Sequence, residues 1–128
     1  MNDTGMQTPT EFVQEWIKRV LSNDASHIVL LYKEKAILLG TTDGTVRKGR
    51  NSIKEYFDYF VKLRPNVKLK YIVCEEICNG SVVISNGHYD FELYEDERLS
   101  TVSARFTFVL EKVGTKWEIL SHHSSKIP

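Results

Sequence analysis

The sequence predicts an α+β domain: helices at the N-terminal end, then a long antiparallel β-meander curled around a pocket. Three observations carry this. Apolar residues recur at helical spacing in segments that end near Val61. From Val67 onward the period changes to two, in runs rich in Val, Ile, Tyr and Phe. The turn signals Asn79-Gly80, Glu95 to Arg98 and Gly114 divide that half into four sequential strands. Helices first and sequential strands after them argue against a parallel nucleotide-binding sheet.

The elements follow in order. Thr8-Pro9-Thr10-Glu11 starts a helix, with Thr8 as cap, Pro9 at the first helical position and Glu11 completing a capping box. Phe12, Val13, Trp16, Ile17, Val20 and Leu21 form its apolar stripe, and Ser22-Asn23 stop it. Asp24 caps a second, short helix from Ala25 to about Tyr32. Ala36 to Leu39 reads as a short buried strand, ended by Gly40 and the turn-rich stretch Thr41 to Thr45. Gly49 or Asn51 opens a third helix with Ile53, Tyr56, Phe57, Phe60 and Val61 on one face, closed by Pro65. The four strands are then Val67 to Cys78, Val82 to Tyr94, Leu99 to Glu111 and Lys116 to Ser124. Asn86-Gly87, in mid-strand, predicts a bulge that bends the sheet. Three helices against the concave face of such a meander make a cone with a cavity.

With 128 residues the chain suits one domain, expected over residues 8–128 behind a disordered tail of residues 1–7. Lys+Arg and Asp+Glu both number 17, and the basic residues are scattered, so neither nucleic acid nor an anionic membrane is an expected partner. Met1 to Gln7 does not resemble a signal peptide, and no apolar run reaches the ~20 residues of a membrane span. A cytoplasmic protein is the expectation. Cys74 and Cys78 lie four apart on a strand, roughly 13 Å at ~3.3 Å per residue, too far for a disulfide. They read as reduced thiols, and no metal or cofactor is expected.

The segment Ala104 to Val109, then Lys116-Trp117-Glu118-Ile119, His122-His123-Ser124-Ser125 and a final Pro128 are similar to the calcium/calmodulin-dependent protein kinase II association domain. They resemble still more its stand-alone bacterial, SnoaL-like relatives in the nuclear transport factor 2-like superfamily. The Trp16 helix, Asp24, Tyr32, Gly49 and Tyr56-Phe57 through Phe60 extend the match over nearly the whole chain. The resemblance implies a conical fold and homo-oligomers, dimers or larger rings, formed through the exposed sheet face. It implies no kinase activity, and the chain has no kinase motif. In the kinase hub, a pocket holds an arginine matching Arg105 and a histidine matching His123. The hub's next residue is a second arginine, here Ser124, so acidic ligands would be held less strongly.

Several residues are candidates for chemistry. Arg105, with Thr107 and Val109 on its face of the strand, is either a cavity guanidinium ready to fork onto a carboxylate or an internal partner of Asp90 or Glu92. His122 and His123 point to opposite faces, and the period-two rule places His123 with Trp117 and Ile119 on the cavity wall. Tyr89, in phase with Phe91, offers a hydroxyl to the cavity or is core with its tip hydrogen-bonded. Trp16, Tyr56 and Phe57 are core first and pocket lining second. The expected ligand set is Arg105, His123, Tyr89, Trp16, Tyr56, Phe57 and Thr107, around a small organic or carboxylate ligand. By the same rule the outward face carries Phe106, Phe108, Leu110 and Leu120, apolar enough to seek a second copy. The rival reading is a small isomerase, cyclase or dehydratase using the same pocket, although no complete acid/base set emerges.

Overall fold

The computed structural model describes residues 5–128; residues 1–4 of the expected tail lie outside the described residues. Helix α1 (Pro9–Leu21) begins with the anticipated capping box, Glu11 N donating to Thr8 Oγ1 at 3.0 Å and Thr8 N to Glu11 Oε1 at 2.8 Å. Just before it, Gln7 N donates to the Thr115 carbonyl at 2.9 Å and its own carbonyl accepts from Trp117 Nε1 at 2.8 Å. Gln7 is therefore held against the sheet end, not part of a tail.

Helix α2 (Ala25–Val29), capped by Asp24, is shorter than expected. Ile119 N takes the Leu31 carbonyl at 2.8 Å, and the chain enters strand β1 (Tyr32–Leu39) at Tyr32, parallel to the last strand. That long-range pairing, invisible to local periodicity, overrides helical continuation. Strand β2 (Val46–Lys48) pairs antiparallel with β1 and has only three residues, too few for a periodic signal. Gly49, at φ +87°, turns the chain into α3 (Arg50–Phe60), a conformation for which glycine has no steric penalty.

Strands β3 (Asn66–Ile77), β4 (Val82–Glu95), β5 (Arg98–Val113) and β6 (Lys116–Lys126) complete one sheet of order β2-β1-β6-β5-β4-β3. Only β1 and β6 run parallel. The bulge expected at Asn86-Gly87 lies across from it instead. Strand β4 alternates unbroken from Val83 to Leu93, while β3 carries one extra residue between Leu69 and Tyr71. A Cβ on Gly87 would lie 1.9 Å from the Tyr71 carbonyl oxygen, so glycine is what lets the bulged strand approach. A second irregularity, at Leu120 in β6 opposite Val109 and Leu110, resets that strand's alternation.

The helices pack on one face of the sheet. Phe12, Trp16, Ile53, Phe57 and Phe60 meet Tyr89, Phe91, Phe106, Phe108, Leu110 and Ile119, all buried. Phe106, Phe108 and Leu110 are thus inward, and the face assignment made for β5 from periodicity is reversed. The opposite face is open, with Tyr71 59% and Val73 49% exposed.

Candidate functional site

Inside the cone the polar groups form one hydrogen-bonded chain. Trp16 Nε1 donates to Tyr32 Oη at 3.1 Å, and Tyr32 Oη lies 2.8 Å from His122 Nδ1. His122 Nε2 is 3.2 Å from Tyr89 Oη, which donates to Ser124 Oγ at 2.7 Å; Ser124 in turn bonds Thr41. Trp16 can only donate, and Tyr89 gives its single proton to Ser124, so Tyr89 must accept from Nε2–H and the direction of the rest follows. Tyr32 must pass its proton to Nδ1, so neutral His122 carries its proton on Nε2 and donates to Tyr89. The chain runs from the sealed end at Trp16 to partly buried Thr41.

Each element supplies its link for a local reason. Trp16 sits on the apolar stripe of α1, and Tyr32 is the first residue of β1. Tyr89 stacks between Trp16 at 5.7 Å and Phe106 at 4.6 Å, and His122 lies on Phe108 at 4.0 Å. Burial, reinforced by His123, pulls the His122 pKa down to about 3, and burial pushes Tyr32 and Tyr89 upward. All three shifts favour the neutral forms of these groups. Tyr56 shuts the interior beside Gly40, where a Cβ would meet its ring at 2.4 Å, and its hydroxyl accepts from Thr42 at 3.2 Å. The space left among Trp16, Tyr56, Phe57, Tyr89, His122 and Ser124 is about 10 Å³, one water at most. This network can clamp the helices to the sheet; it has no room for an organic ligand in this conformation.

The remaining expected site residues lie on the other side of the sheet. Tyr71, His88, Arg105 and Ser125 stand level across β3 to β6, and Val73, Asn86, Thr107 and His123 form the next level. Together they line an open groove of about 440 Å³. His123 faces outward, not toward Trp117 and Ile119, because the Leu120 irregularity flips the alternation and sends His122 and Ser124 inward. Arg105 is exposed and has no hydrogen-bond or ion-pair partner among the described residues; Glu92 instead accepts from Asn66 at 3.0 Å. Neither proposed internal pairing of Arg105 forms. Thr107 donates to Asn86 across the strands.

The expected ligand set therefore divides in two. Trp16, Tyr56, Phe57 and Tyr89 belong to the closed interior, and Arg105, Thr107 and His123 to the outer groove. Sequence reading missed Tyr32, His122 and Ser124 as interior groups. Tyr32 sits at a helix-to-strand boundary without a local signal, and the two others are hidden by one irregular residue.

A helical layer on a six-stranded, mostly antiparallel sheet defines the class: the fold is nuclear transport factor 2-like, also called cystatin-like. It superposes on a nuclear transport factor 2-like protein from Novosphingobium aromaticivorans with TM-score 0.75 and 12% identity, covering 91% of this chain and 78% of that one. A ketosteroid isomerase-like protein from Erwinia carotovora atroseptica gives TM-score 0.79 at 10% identity, over 99% of each chain. Within that class, residues 6–128 match the model of the calcium/calmodulin dependent protein kinase II association domain, and the chain belongs to this family. A crystal structure from Xanthomonas campestris assigned to the same domain is 30% identical, with TM-score 0.88 over 93% of this chain and 85% of that one. No curated protein matches the chain. No helix among the described residues is long and apolar enough to cross a membrane.

Proposed function

We propose that this chain is a self-associating domain whose copies pair through the open face of β3 to β6. The groove of Arg105, Thr107 and His123 lies on that face and suits a carboxylate. The observation that carries the reading is the composition of the face. Exposed Tyr71, Val73 and Ile77 adjoin Val82, Ile84 and Val109 in contiguous levels, whereas a solvent-facing antiparallel sheet normally alternates to polar residues. Four strands at ~4.8 Å by seven residues at ~3.3 Å give roughly 440 Å² in projection, about half the ~800 Å² per partner typical of stable interfaces before the relief of the side chains is added. An unpaired guanidinium at the rim of an apolar face is the geometry for a bidentate carboxylate contact. The rival isomerase, cyclase or dehydratase would need an interior acid or base. Among the described residues the buried polar ones beside the tyrosines are Ser85, His122 and Ser124, and none of these is a carboxylate. Light scattering tests the proposal: a mass of at least two chains at micromolar concentration supports it, and a monomer overturns it.

A further inference from the structure

The open face is charged asymmetrically along its strands. At one end of the stretch where all four strands pair, His88 and Arg105 stand level, with His123 one level in; Asp90, paired with Lys68, and Glu92 lie further along the same face. At the other end Glu111 and Glu118 stand level, with Glu75 one level in. Between them lie Val73, Ile84, Thr107 and Val109. Arg105 and Glu111 share a face of β5 and are separated by six residues, ~20 Å along the strand.

Two copies can stack these faces in two aligned ways. With the twofold axis along the strands, each level meets its own kind and Arg105 approaches the Arg105 level of the other copy. With the axis across the strands, the ends are exchanged. The axis then passes at the level of Cys74, Ser85, Phe108 and His122, which are in register with one another. Rotation about that level places Arg105 over the second copy's Glu111, Tyr71 over Ile77 and Thr107 over Val109. Like charges across an interface are costly and unlike ones favourable, so the charge pattern selects the second arrangement. Aligned sheets cross at about 30°, small enough to keep these ends together.

We infer that the carboxylate received by Arg105 is Glu111 of a second copy, stacked antiparallel on the open face, so that each pair is closed by two symmetric Arg105–Glu111 contacts. This rests on the self-association proposed above and names the residues that set its register. Glu111 is available: its side chain is 41% exposed, and Lys33 engages its Oε1 at 2.9 Å. A carboxylate accommodates a lysine and a forked guanidinium together. Arg105, in turn, has no competing partner among the described residues.

The test is a charge exchange read by sedimentation velocity, with melting temperature as the check on folding. Arg105→Glu alone faces two carboxylate pairs, and Glu111→Arg alone faces two guanidinium pairs. Each is expected to raise the dissociation constant at least about tenfold. Mixing the two variants, or combining both substitutions in one chain, restores opposite charges at both contacts and the wild-type mass. Lys54→Gln, which breaks an ion pair on α3 away from the face, leaves association unchanged. Single variants that associate like wild type overturn the pairing and leave self-association standing. Single variants that dissociate without rescue by either exchange also overturn it. A wild type that sediments as a monomer overturns the proposed function itself.

Discussion

Removing one oxygen, by Tyr89→Phe, tests the interior chain. The hydroxyl accepts from His122 Nε2 at 3.2 Å and donates to Ser124 Oγ at 2.7 Å, while the ring packs against Trp16, Phe91 and Phe106. Phenylalanine keeps the ring contacts. Ser124 keeps Thr41 as a partner. His122 does not recover: its Nε2–H is left without an acceptor at a site that is 2% exposed. Moving the proton to Nδ1 only transfers the fault, because the Tyr32 hydroxyl then has no acceptor. One buried orphan donor costs ~1–3 kcal/mol, so a loss of about 2 kcal/mol is expected. For a domain of this size that corresponds to roughly 8 °C in Tm. Urea denaturation and calorimetry measure it, with Tyr71→Phe on the open face as a control expected to change stability by under ~0.5 kcal/mol. Adding His122→Phe to Tyr89→Phe should cost less than the two single changes summed, by about 1 kcal/mol. A Tyr89→Phe protein as stable as wild type, or strict additivity, would refute the directional chain.

His122 has a folded pKa of about 3, below the ~6.5 of an unfolded histidine, so protons favour the unfolded chain; its stability contribution is complete above pH 6.5 and falls as pH drops toward 3. Denaturant titrations should show about 2 kcal/mol lost between pH 7 and pH 5 from this group, and a flat profile there would contradict its burial. Gly87→Ala should destabilise by about 3 kcal/mol or more, since a Cβ 1.9 Å from the Tyr71 carbonyl forces β3 and β4 apart; a melting temperature within about 4 °C of wild type, the shift for ~1 kcal/mol, would show that the strand yields cheaply. Cys74 and Cys78 are both free and exposed, so thiol titration of the native, non-reduced protein should find two.

The fold was legible where one element carries its own signal. The capping box of α1, the apolar faces of α1 and α3 and the change of period at Val67 all specify structure locally. What escaped depends on distant pairing. Tyr32 leaves the helix because β6 takes the Leu31 carbonyl, and β2 is too short to register alone. The site suffered more than the fold. Strict alternation from Trp117 places His123 inside, but one extra residue at Leu120 exchanges it with His122. On β5 the alternation itself was read correctly, with Arg105 and Thr107 opposite Phe106 and Phe108. Which of the two faces the helices was a tertiary fact, and there the apolar side is the inner one.

The central claim, that copies associate through the open face, is tested most directly by placing one charge at its centre. Val109 is half-buried, lies between the Thr107 and Glu111 levels of β5 and touches the face that no helix covers. Sedimentation equilibrium of wild type and Val109→Lys, beside Leu30→Lys at an exposed leucine on the helical side, compares like with like. The account predicts that wild type and Leu30→Lys have at least twice the 14.8 kDa chain mass, while Val109→Lys is reduced in mass with its melting curve otherwise intact. A Val109→Lys protein that assembles as wild type does, or a wild type at the mass of one chain, contradicts it.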